Sequence, residues 1–98
     1  MPSRNDLLID MADWLLANED IDILPEALED LLWTETGLMS LALMQMILEM
    51  EQSHGCTITN ERLRPVRTFG DLATAFEEAL APPLAGSGPL TEGTPVLL

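Results

Sequence analysis

Apolar Leu7, Met11, Trp14 and Leu15 recur at spacings of three and four, which places them on one face of a helix. Ser3 precedes them, with Asp6 three residues later, an arrangement in which each side chain takes up the other's backbone N–H at a helix start. The pattern predicts a first helix over residues 3–18. The periodicity then fails: "EDIDILPEALEDLLWTETG" mixes acidic residues with Pro25 and reads as a long connection carrying one short turn. Leu24, Leu28, Leu31 or Trp33 would turn inward to pin it, and Gly37 closes it.

A second helix is predicted from Ser40 to about residue 53, ended by His54 and Gly55. It carries two apolar stripes. Leu43, Met46, Ile47 and Met50 make one, and Leu41, Met44 and Leu48 make another, with Gln45, Glu49 and Gln52 on a polar face. One stripe is enough to anchor a helix in a small bundle, so the other is either core as well or an exposed contact surface. Periodicity alone favours core, because a helix that is apolar most of the way round is usually surrounded.

Asn60 is read as the cap of a short third helix, "ERLR", which stops at Pro65. Thr68 with Asp71 opens the last helix, whose apolar face is Phe69, Leu72, Ala73, Phe76 and Leu80. From "APPLAGSG" onward Pro, Gly, Ser and Thr dominate without periodicity. The chain therefore divides into a helical domain over residues 1–80 and a flexible Pro/Gly-rich tail over residues 81–98.

Charge changes the picture more than size does. Of 98 residues, 17 are acidic and four basic, giving a net charge of -13 that repels nucleic acid and anionic membranes and directs the chain toward a protein with a positive patch. Gln45 and Glu49 interrupt the longest apolar run, so no membrane span is expected. Cys56 is the single cysteine, which excludes an internal disulfide or a thiolate zinc site, and "MPSRNDLLID" lacks the apolar run of a signal peptide. A reducing cytoplasm is the expected setting.

His54 and Cys56 invite a nucleophilic pair, but the spacing lacks a third, orienting group. The acidic stretch "NEDID" lacks the oxygen spacing and the glycine of a calcium loop and reads as a solvated face. No catalytic and no metal-ligating residue is assigned. Arg62, Arg64 and Arg67 surround the third helix and are expected to pair with neighbouring carboxylates, the alternative being a partner or a phosphate.

"GLMSL", a mainly apolar helix, Ile58, a short helix, Val66 and "TFGDL" follow one another without a gap from Gly37 to Leu72. This succession resembles the acyl carrier protein family, and the resemblance extends more weakly over residues 3–80. It implies an all-α, four-helix bundle with a short third helix and a long loop between the first two. It further implies that Ser40 is the attachment point of a covalent 4'-phosphopantetheine arm, installed from coenzyme A by a separate phosphopantetheinyl transferase, with no enzymatic activity in the chain itself. Leu41, Met44 and Leu48 fall where family members expose apolar residues to partners. With Met39 and Glu51 they form the expected partner-binding set for the acyl-loading and acyl-processing enzymes of one pathway, the carrier acting as a monomer.

Two departures sharpen the expectation. Met39 replaces the aspartate that usually precedes the serine, and Ala42, Gln45 and Gln52 stand where acidic residues are common, leaving Glu51 charged. Recognition would then rest on apolar contact more than on salt bridges. The reading is a stand-alone carrier of acyl or aminoacyl thioesters for a dedicated pathway of polyketide or fatty-acid type. The alternatives are an unmodified carrier-like protein and an unrelated helical adaptor that binds a partner through Leu41, Met44 and Leu48.

Overall fold

Residues 2–81 are described by the structure, a computed structural model; of the expected tail only Ala81 lies among them. Among the described residues five α-helices and one 3-10 turn succeed one another: α1 (Arg4–Glu19), α2 (Pro25–Leu28), the 3-10 turn (Trp33–Thr36), α3 (Ser40–His54), α4 (Asn60–Leu63) and α5 (Phe69–Leu80). The chain is all-α, as the periodicity predicts, and no helix is long and apolar enough to cross a membrane among the described residues.

Helix starts follow local chemistry. α1 and α5 both open on reciprocal capping boxes, Ser3 with Asp6 and Thr68 with Asp71. The cap of α4 is Thr59, whose hydroxyl accepts from Arg62 N; Asn60, the expected cap, is the first helical residue. Thr59 takes that role because it is the residue in extended conformation, which the N-cap requires. α3 ends at His54, where Gly55 adopts φ +69° and supplies the left-handed turn that a Cβ would disfavour.

The core is drawn from every α-helix but α4. Leu7, Met11 and Leu15 of α1, Leu28 of α2, Met46 of α3, and Phe69, Leu72 and Phe76 of α5 are fully buried. Each such side chain contributes about 1.5–3 kcal/mol from removal of its apolar surface from water. The long connection holds two short turns rather than one. Leu28 pins it, while Leu31 and Trp33 are half-buried and Leu24 points to solvent.

Two sets of polar contacts fix that connection against α5. Leu32 bridges Thr68 in antiparallel fashion, with Trp33 N donating to Arg67 O (3.0 Å) and Phe69 N to Leu31 O (3.1 Å). Arg4, at the start of α1, reaches across both: Nε and Nη2 donate to Glu29 (2.9 and 2.5 Å), Nη1 to Glu77 (2.5 Å), and Nη2 to Gly70 O (2.8 Å). These ties hold the segment leading into α3 in a defined place.

Candidate functional site

The residues that position Ser40 alternate between anchoring and exposure. Thr36 Oγ1 donates to Trp33 O (2.7 Å) and accepts from Leu38 N (3.2 Å), so the turn before the serine is stapled by one hydroxyl. Gly37 takes φ +80°, and the chain then buries Leu38 while turning Met39 outward. Ser40 is the first residue of α3 and is exposed.

Ser40 does not cap its helix. Met39 occupies the N-cap position, no side chain closes the end, and the first turn holds no acidic residue. The backbone N–H groups of the first turn, which a cap would ordinarily engage, are left for solvent or a ligand, beside the positive end of a 15-residue helix. The other long helices, α1 and α5, are both closed by capping boxes.

The two stripes of α3 separate. Leu43, Met46, Ile47 and Met50 are buried, whereas Leu41 is 80% exposed, Met44 46% and Leu48 53%, with Met39 beside them at 75%. The second stripe is therefore not core, contrary to what periodicity alone favours. Among the described residues α3 packs along one side only, and the core they form is complete without its other face. Glu51 differs from these residues: it is half-buried, and its Oε2 accepts from Ile58 N at 2.6 Å. The carboxylate thus has an internal partner and ties the loop after α3, whose Ile58 is buried.

A groove of about 260 Å³ runs beside Ser40 between α3, the 3-10 turn and the segment around α4. Its walls include Trp33, Leu43, Ile47 and Leu63, and Arg64 and Arg67 also line it. Among the three arginines grouped together in the sequence, Arg62 pairs with Glu78 (2.8 Å), as expected, but no carboxylate pairs with Arg64 or Arg67 among the described residues. The sequence placed these cations near the third helix without separating them, because which of them meets a carboxylate depends on the approach of α5, whose Glu78 holds Arg62.

Chemically, an exposed primary hydroxyl without a base is not activated as a nucleophile. Among the described residues no histidine or carboxylate hydrogen-bonds Ser40, and His54 is committed elsewhere, its Nε2 lying 2.7 Å from Asp10 Oδ2. Cys56 is half-buried, and burial, aided by the nearby Glu51, raises its thiol pKa, which is the opposite of nucleophile activation. No group of three or more metal-ligating side chains is assembled among the described residues. The chain matches no family model, and no curated protein or solved structure is significantly similar to it.

Proposed function

We propose that the chain is an acyl carrier protein of the four-helix type, in which Ser40 bears a 4'-phosphopantetheine arm and α1, α3, α4 and α5 are the four helices of the bundle. The observation that carries this reading is an exposed serine opening an uncapped helix, flanked by exposed Met39, Leu41, Met44 and Leu48. The residues fit the group: the helix end favours a negatively charged phosphodiester, and the hydroxyl is accessible to a transferase. When attached, the arm supplies a terminal thiol that holds acyl or aminoacyl groups as thioesters. Ser40 contributes the oxygen that displaces the nucleotide portion of coenzyme A, and its proton passes to a base of the transferase, since no base hydrogen-bonds Ser40 among the described residues.

Recognition falls to the apolar stripe. Met39, Leu41, Met44 and Leu48 present flexible or branched apolar groups where salt bridges would otherwise form, which fits a carrier served by few enzymes of one dedicated pathway; in this reading it acts as a cytoplasmic monomer. Intact-mass measurement after incubation with coenzyme A and a broad-specificity transferase, and after co-expression with neighbouring genes, tests the reading. A single phosphopantetheinyl increment that disappears in Ser40→Ala is expected. No increment under any of these conditions would overturn it.

The same exposed stripe supports a second reading, in which the chain is an unmodified adaptor. That reading requires partner binding to survive Ser40→Ala and to be abolished by Met44→Glu or Leu48→Glu.

A further inference from the structure

In a chain with 17 acidic and four basic residues, the location of each cation is informative. Arg4 is held by Glu29 and Glu77, and Arg62 by Glu78. Arg64 and Arg67 are exposed, pair with no carboxylate among the described residues, and line the groove that Ser40 also lines. Among the described residues no acidic side chain lines that groove.

Arg67 is also partly immobilised. Its Nη1 donates to two carbonyl oxygens of its own loop, those of Arg64 (2.8 Å) and Val66 (3.1 Å), while Nε and Nη2 find no acceptor among the described residues. Asp71 interacts with this guanidinium by charge but makes no ion pair with it; its Oδ2 accepts from the backbone N–H groups of Arg67 (2.9 Å) and Thr68 (3.0 Å). A guanidinium fixed through one nitrogen presents its remaining edge as a two-pronged donor, the geometry that matches phosphate oxygens.

We propose that Arg64 and Arg67 form an anion-binding rim that holds the phosphodiester on Ser40. The inference rests on the carrier reading for the origin of that phosphodiester. A phosphate bound to Ser40 Oγ would start from the same groove that the two cations line, in a molecule of net charge -13. Leu41 and Leu48, which do not line that groove, stay free for a partner.

Cys56 makes a direct test practical, because it divides the chain between Ser40 and the rim. Residues 1–55, synthesised as a thioester with phosphopantetheinyl-serine at position 40, are ligated to recombinant residues 56–98 carrying 15N-arginine. The full chain then bears the arm without any transferase and reports only Arg62, Arg64 and Arg67. The Nε–H resonances of Arg64 and Arg67 are expected to move downfield, relative to the same ligation with plain serine, and Arg62 to stay in place. The double variant R64Q/R67Q is expected to shift the phosphorus resonance of the arm. Unmoved Arg64 and Arg67 signals would overturn the rim, as would an equal displacement of Arg62, which would mark a general field effect. The mass experiment decides the carrier reading separately, so failure of one is distinguishable from failure of the other.

Discussion

At the scale of single residues, Gly70 shows how a position acquires its identity from a distant part of the chain. Within a helix, glycine is less stable than alanine by about 0.5–1 kcal/mol, so Gly70→Ala should stabilise α5 if nothing intervenes. A Cβ at residue 70, however, would meet the backbone carbonyl and the carboxylate of Glu29 at closer than van der Waals distance. The backbone oxygen cannot rotate away, and the Gly70 carbonyl is itself held by Arg4. Gly70→Ala is therefore expected to lose about 1–3 kcal/mol, read as a lower urea midpoint with an unchanged slope. An equal or higher midpoint would show that the connection yields. The sequence displayed this glycine within a helix-opening motif but gave no reason for it, because the reason is the approach of a loop some forty residues earlier. Ser40 was equally visible as a residue, but whether it capped the helix or stood free depended on which residue took the extended N-cap conformation, and that was Met39.

At the scale of the element, α3 combines an open end with an unburied face, and each makes a prediction. Met39→Asp would place a carboxylate where it can accept a first-turn N–H and face the helix dipole. It should raise stability by about 1 kcal/mol in thermal or urea melts, more at low salt than at high. Under the carrier reading the same change restores the usual residue before the serine and should speed modification by a broad-specificity transferase; a slower reaction would count against apolar Met39 being the departure that limits it. The two stripes separate in stability measurements. Ile47→Ala should cost about 2–5 kcal/mol, whereas Leu48→Glu should stay within about 0.5 kcal/mol of wild type while disrupting partner binding. A large loss at Leu48 would mean that its face is covered in solution. Periodicity located both stripes correctly, and the capping residues of α1 and α5 could be read outright, since those are local patterns. Whether the second stripe was core as well could not be read from periodicity, which favoured core, because that depends on how many neighbours the helix has, and among the described residues α3 is covered along one side only.

At the scale of the whole molecule, a large negative charge is held together at a few cationic points, and pH tests how. Arg4 joins the start of α1 to the α2 segment and to α5, and its contacts with Glu29 and Glu77 raise its own pKa while its hydrogen bonds to Glu29 lower that carboxyl's. Asp71 is lowered as well, first by the backbone N–H groups of Thr68 and Arg67. A carboxyl depressed on folding contributes stability that is full above its unfolded value and is lost as pH falls through its folded one. The window thus opens below the ordinary values, 4.5 for Glu29 and 3.8 for Asp71, and extends downward. Above it, lowering the pH from neutrality relieves self-repulsion among the 17 acidic groups and works in the opposite direction, so total stability alone is an ambiguous readout. The difference between wild type and Arg4→Gln removes this common background. Arg4 is about one-third exposed, which discounts its ion pairs, and the gap at pH 7 should be about 1–2 kcal/mol. As pH falls through the window, Glu29 protonates, wild type loses the charge-assisted bonds that the variant already lacks, and the two urea midpoints should converge. A gap that stayed constant down to about pH 2.5, well below the ordinary carboxyl range, would mean that Arg4 acts through packing and its bond to the Gly70 carbonyl. Asp71→Asn, which leaves the Arg4 pairs in place, should preserve the convergence and remove only the lower part of the acid-induced loss.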